Sequence, residues 1–113
     1  RDMRDAVLTM LKLQELELIR EESRIVHRDK HQVKLNRLDE SIKELRAKLP
    51  EQYLKRFDGL RRSGMAVVRE FGGVCQSCRM VITIGDLNRM RKDEMQHICP
   101  NCGRFLLLSS SSD

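Results

Sequence analysis

The chain has little with which to build an ordinary globular core. Its 113 residues include no Trp, one Tyr and three Phe, while 35% are charged. A compact domain of this size normally brings more large apolar side chains inside. The shortage points to an elongated helical part plus a small module fastened by something other than a large core. No apolar run approaches the roughly 20 residues needed to cross a bilayer, and no secretory start is visible, so neither a membrane partner nor export is expected. Proline occurs only twice, and from Arg1 to Leu49 there is neither Pro nor Gly. That excludes tight turns built on those residues over nearly half the chain.

What fills residues 1–49 is Leu, Glu, Lys, Arg and Gln, all good helix formers. Apolar residues return at helical spacing in two blocks. The first holds Val7, Leu8, Leu11, Leu18 and Ile19, with Ile25 and Val26 beyond; the second holds Leu35, Leu38, Ile42, Leu45 and Leu49. The second block steps by three and four, the heptad pattern of a coiled-coil seam. Between the blocks Arg20, Arg24, His27, His31 and Lys34 follow one helical face. Because no strong turn residue interrupts it, the preferred reading is one continuous helix of about 70 Å. The alternative is a helical hairpin, with Asn36 a weak candidate for its break. In either case the seam needs a partner helix, from the same chain, a second copy or another protein.

Pro50 closes this element, and Tyr53, Leu54, Phe57 and Leu60 predict a short helix folding back onto Leu45 and Leu49. Beyond Arg62 the character changes. Met65 to Phe71 and Arg79 to Ile84 read as strands, with Gly72-Gly73 a turn between them. Asp86 to Lys92 reads as a short helix and Phe105 to Leu108 as a last strand. The fold expected is mainly α with a small ribbon of short strands: a helical arm over 1–62, a ribbon over 63–108 and a disordered tail over 109–113.

All four cysteines fall in the second part, as Cys75-Gln-Ser-Cys78 and Cys99-Pro-Asn-Cys102-Gly103. Two intervening residues let a tight turn present both sulfurs to one ion, and two such turns complete a tetrahedron of thiolates, the donor set of structural zinc. Gly103 permits the left-handed conformation such a knuckle needs, and Pro100 stiffens the turn. One Zn²⁺ per chain is therefore expected, with iron able to replace it after bacterial expression. A four-Cys site leaves no open position for water or substrate. With no nucleophile and base paired in the sequence either, an enzyme and a small-molecule substrate are not expected. A reading of each CxxC as a redox dithiol is the weaker alternative. Full use of the cysteines by a metal suits a reducing cytoplasm. His97, two residues before Cys99, is expected at the surface rather than on the metal. His27 and His31, one turn apart, read as part of a solvated face.

At this point the sequence resembles the bacterial coiled-coil proteins that end in a C4-type zinc ribbon. The resemblance runs over Leu49 to Leu107: Leu49-Pro50 with Tyr53 and Arg56, then Ala66-Val67-Val68 and Gly73-Val74-Cys75-Gln76-Ser77-Cys78-Arg79-Met80. It continues through Asn88, Arg91 and Glu94 to Cys99-Pro100-Asn101-Cys102-Gly103-Arg104-Phe105-Leu106. Leu11-Lys12-Leu13-Gln14-Glu15-Leu16 also looks like the opening of the family's first helix. The resemblance implies a non-enzymatic cytoplasmic protein with a coiled-coil arm on a ribbon. It also implies partners of the kind linked to that family: an alternative sigma factor, flagellar or type III secretion components, and RNA. The family's arm is typically a much longer hairpin than about fifty residues can supply. A regulator reaching RNA polymerase through a coiled coil has a similar architecture, but its acidic tip motif has no clear counterpart here.

Two functions compete. An adaptor would use the seam to bind a protein partner or to form a homo-oligomer, with the ribbon as a platform. A nucleic-acid binder would use Arg24, Arg28, Lys30, Lys34 and Arg37 on the arm, with Arg89, Arg91 and Lys92 on the ribbon. The net charge of +5 is uneven: residues 1–62 carry 16 Lys and Arg against 12 Asp and Glu, residues 63–113 carry 6 against 5. Four thiolates around one Zn²⁺ make the ribbon slightly acidic, and few aromatics are present for base stacking. The same cations could equally meet an acidic protein, so the adaptor is the leading expectation.

Overall fold

The computed structural model describes residues 3–26 and 32–109. Helix α1 (Met3–Val26) is followed by α2 (Gln32–Ala47) and α3 (Glu51–Arg61), then strands β1 (Val67–Phe71) and β2 (Val74–Cys75), helix α4 (Ile84–Arg91) and strand β3 (Phe105–Leu107). The molecule is elongated, 51 × 28 × 27 Å.

The preferred single helix is corrected: the chain doubles back. Arg20 pairs with Asp39, and Arg46 reaches Glu17 at 3.2 Å. Partner numbers that fall on one helix as they rise on the other define an antiparallel hairpin. Asn36 lies inside α2 rather than at the break; His27, Arg28, Asp29, Lys30 and His31 lie outside the described residues. The seam is thereby occupied from within the chain. Leu35, Leu38, Ile42 and Leu45 are half-buried and Leu49 is buried. Ion pairs then join all three helices: Arg46 also holds Asp58 of α3 at 2.7 Å, and Arg61 holds Glu21 at 2.8 Å and Glu17 at 3.5 Å. Burial raises the Glu17 carboxyl above its ordinary value, against the pull of Arg46 and Arg61.

The sheet runs β2-β1-β3, antiparallel between β2 and β1 and parallel between β1 and β3. Strand alternation sends Val67, Phe105 and Leu107 to one face and Val68, Leu106 and Leu108 to the other. The first face meets Met3, Val7, Met10 and Leu13 of α1, Leu49, and Phe57 of α3. The second meets Leu87 and Met90 of α4 and the cysteines. Covered on both sides, β3 is apolar without alternation. Tyr53 stands edge-on to Phe105, with centroids 6.0 Å apart. The boundary expected between arm and ribbon is therefore spanned by one core, to which α1 contributes as much as the strands.

Gln14 is the polar hinge of that contact. It is buried, and its Oε1 accepts from the backbone N–H of Ala66 (2.7 Å) and Val67 (2.9 Å) while its Nε2 donates to the Val67 carbonyl (3.1 Å). A side-chain amide thus supplies the entry of β1 with the hydrogen bonds that a neighbouring strand would give.

Three further expectations change. Arg79–Ile84 is not a strand: it contributes one bridge, Val74 to Val81, before α4 begins at Ile84. Thr83 accepts from the Asp86 N–H at 3.1 Å, an N-cap that overrides the β-branched run. His97 is buried, 4% exposed, with Nε2 2.6 Å from the Met90 carbonyl. Ser109, expected in a loose tail, gives its N–H and hydroxyl to Glu70; residues 110–113 lie outside the described residues.

Gln14→Leu keeps the volume but strands two buried N–H groups and a carbonyl. Urea unfolding is expected to show a loss of about 2–4 kcal/mol, against near neutrality for the exposed neighbour change Glu15→Leu.

Candidate metal centre

The two knuckles are built alike. In the first, the Cys75 N–H donates to the Met80 carbonyl (3.0 Å) and the Arg79 N–H to the Cys75 carbonyl (2.8 Å). In the second, the Cys99 N–H donates to the Arg104 carbonyl (2.8 Å) and the Gly103 N–H to the Cys99 carbonyl (3.0 Å). Both place the residue after the second cysteine in the left-handed region, Arg79 at φ 66° and Gly103 at φ 80°. Only the second uses glycine. A Cβ at Gly103 would also come within 3.0 Å of Arg56 Nη2, because Arg56 of α3 donates through Nε (3.1 Å) and Nη2 (2.8 Å) to the Gly103 carbonyl. The helices thus hold the second knuckle directly. The first is set by the β1–β2 hairpin, whose turn residues Gly72 and Gly73 both have positive φ.

These turns bring the Sγ atoms of Cys75, Cys78, Cys99 and Cys102 within 4.8 Å of one another. The Cys75–Cys102 separation is 3.9 Å and the Cys78–Cys99 separation 3.7 Å. Four sulfurs at about 2.3 Å from a tetrahedral zinc stand about 3.8 Å apart, so the donor set and its spacing fit that ion. The site is a structural zinc centre, one per chain. His97 is not among its donors.

The protein treats Cys75, Cys78 and Cys99 unequally. Burial pushes Cys75 up to about 12, against N–H donation from Cys78 and Ser77, and burial likewise raises Cys99. Cys78 is drawn down to about 6, first by the Asn101 side chain and then by the Met80 N–H. Of these three Cys78 is the readiest thiolate, and metal binding must displace protons from the buried pair.

Glu70 braces the centre from the paired strand, opposite Cys75. Its buried carboxylate accepts from the Gly73 N–H (2.8 Å) through one oxygen, and from the Ser109 N–H (2.8 Å) and hydroxyl (2.9 Å) through the other. Burial pushes its pKa up, but those hydrogen bonds from Ser109 and Gly73 outweigh it and leave the group below its ordinary value. Nothing in the sequence marked Glu70, beyond its being the one carboxylate of the strand Val67–Phe71.

Of the other residues singled out from the sequence, Arg37, Arg89, Arg91 and Lys92 are exposed, and Arg89 is paired with Asp86. Arg24 and Lys34 belong to α1 and α2, with side chains outside the description; Arg28 and Lys30 lie outside the described residues.

Residues 74–106 match the family model of the C4-type zinc ribbon domain, and the geometry above is that of such a ribbon. No curated protein matches the sequence. Among solved structures, the chain is similar to CT398 of Chlamydia trachomatis, at 23% identity and a TM-score of 0.58. The match covers 82% of this chain and 38% of that protein. At that identity the likeness concerns the fold, and the chain spans well under half of the neighbour's length.

Elemental analysis of purified protein is expected to give one zinc per chain, and Cys99→Ser or Cys75→Ser to lose the metal together with protease resistance of residues 63–108. For Glu70→Gln the sign follows from the lowered carboxyl pKa: its stabilisation is present above the ordinary carboxylate range and is lost as pH falls through the folded value. The variant should be less stable than the parent by about 1–3 kcal/mol at pH 7. In denaturant titrations that gap should close toward pH 3.

Proposed function

We propose that the chain is a non-enzymatic zinc-ribbon adaptor whose work is to bind another protein. The observation that carries this reading is the presence of large apolar side chains on the outside of a rigid, metal-fastened module: Phe71, Val81 and Ile84 are 72%, 76% and 76% exposed. An apolar surface on a scaffold this short of apolar residues has a cost in solubility that a binding role accounts for. The four sulfurs fill every position of a tetrahedral ion, so the metal's task is structural rather than catalytic. The seam Leu35, Leu38, Ile42, Leu45 and Leu49 is not the surface we assign to a partner or a second copy, because α1 and the core already cover it. A partner in transcription, such as an alternative sigma factor, or in flagellar or secretion machinery, is the version suggested by the sequence resemblance.

The competing reading is RNA or DNA binding. Exposed Arg37, Arg91 and Lys92 favour it; against it, Arg20, Arg46 and Arg61 of the helical part are tied to carboxylates of neighbouring helices. The zinc-loaded chain, immobilised and exposed to nuclease-treated bacterial lysate, is expected to retain a protein in near-stoichiometric amount. The adaptor reading fails if nuclease treatment strips everything retained while oligonucleotides bind with a steep salt dependence.

A further inference from the structure

The exposed apolar side chains form an ordered row. Phe71 pairs with Val74 across the hairpin, and Val74 with Val81 across the outer bridge. Directly opposed residues in antiparallel pairs project from the same face, so the three side chains stand abreast. Val81 is outermost, and Ile84 follows three residues on.

Among the described residues, nothing pairs with the edge beside the row. Met80 gives its carbonyl to the Cys75 N–H, and Ile82 donates its N–H to the Gly73 carbonyl (2.7 Å). Those two residues use the inner side of the segment. The alternation of an antiparallel ladder therefore turns the N–H and C=O of Val81 outward. Natural sheets usually protect such an edge with charge or a covering loop; here the outward residue is a 76% exposed valine.

Along the stretch that carries the row the outward charge is cationic, with the exposed carboxylates Asp93 and Glu94 lying beyond it. Between Arg69 and Lys92 the exposed charged residues are Arg69, Arg79, Arg89, Arg91 and Lys92. Both carboxylates in that stretch are engaged: Glu70 is buried in its hydrogen bonds, and Asp86 pairs with Arg89. Arg69, two residues before Phe71, shares its face of β1. Helix α4, carrying Arg89 and Arg91, packs on the opposite face. Cys75 follows Val74, so its sulfur and the thiolate charge lie on that opposite face as well, away from the row.

We propose that this edge receives an extended acidic segment of a partner protein, which adds a strand beside Val81. One of the partner's alternate aliphatic side chains packs beside Val81 at the outer end of the row, and its carboxylates, alternating to the other face, meet the arginines of α4. Strand addition of this kind takes affinity from main-chain hydrogen bonds and specificity from alternate side chains. Only Phe71 in the row offers a plane for a nucleobase, and a single-stranded nucleic-acid platform uses successive aromatic side chains. The proposal rests on the adaptor reading and locates its docking surface.

The test uses the full zinc-loaded chain, ¹⁵N-labelled, titrated with a synthetic peptide of alternating Glu and Val. Amide shifts are expected at Val74, Val81 and Ile84 and at the Phe71 hairpin. Binding should weaken about tenfold or more in Val81→Glu and in Ile84→Glu, with zinc content unchanged. A Lys-Val counterpart and an oligouridine should leave those amides in place. The proposal is overturned if the Glu-Val peptide moves none of them, or if the Lys-Val peptide or oligouridine moves them equally. It is also overturned if light scattering finds a dimer that Val81→Glu dissolves, since a second copy would then own the edge. Failure here, with a protein still retained from nuclease-treated lysate by both parent and Val81→Glu, would leave an adaptor whose contact lies elsewhere. No retained protein at all would remove the adaptor itself.

Discussion

Four sulfurs meeting at one point fix more of this molecule than the ribbon that carries them. Cys75 ends β2, and Cys99 immediately follows the bridge residue Ile98, which pairs with Phe105 at the start of β3. Bringing the two knuckles together therefore sets how β3 lies beside β1, a parallel pairing that needs a long crossover and is entropically remote in a chain this size. Once β3 is in place, Phe105 and Leu107 present the apolar face on which α1 and α3 close. The metal's free energy of binding reaches the helices through that face.

The dependence also runs the other way. Arg56 holds the Gly103 carbonyl from α3, Arg104 Nε donates to the Met65 carbonyl at 2.7 Å, and Gln14 from α1 supplies hydrogen bonds at the entry of β1. None of these is a contact between two apolar surfaces. Each satisfies a backbone group that the ribbon, being short of strands, cannot satisfy by its own pairing. A ribbon with a fuller sheet would have less need of the helices, and a helical hairpin with a fuller apolar stripe would have less need of the ribbon.

How far the sequence disclosed this differs from part to part. The metal centre was legible because its chemistry is local: residue type and a two-residue spacing are enough to define a knuckle. The short helix after Pro50 and the Gly72-Gly73 turn were legible for the same reason. The hairpin of α1 and α2 was not, because the chain turns without Gly or Pro. The available signal was a gap instead, since His27 to Gln32 contains no apolar residue between two periodic blocks. Arg79–Ile84 misled through β-branched composition, whereas one hydroxyl at Thr83 suffices to start a helix. Gln14 is a polar residue buried by a partner distant in sequence, Val67, and the buried ring of His97 meets a backbone carbonyl, that of Met90, which side-chain pattern does not mark. No local pattern records such partners.

Charge shows most clearly why composition alone misdirects. The excess of Lys and Arg lies in residues 1–62, which makes the arm look like the cationic surface. In the folded chain, however, Arg20, Arg46, Arg56 and Arg61 are all spent on Asp39, Glu17, Asp58, Glu21 and the Gly103 carbonyl. An arginine held in such contacts is already oriented and partly neutralised, and offering it to a ligand means breaking a bond first. The ribbon has fewer cations, but two of its carboxylates are withdrawn, Glu70 into the interior and Asp86 onto Arg89, while Asp93 and Glu94 stay exposed beyond α4. What a partner meets is set by which charges remain outward after folding. On that measure the run from Arg69 to Lys92 presents cations outward, although the half that carries it has the lower formal charge.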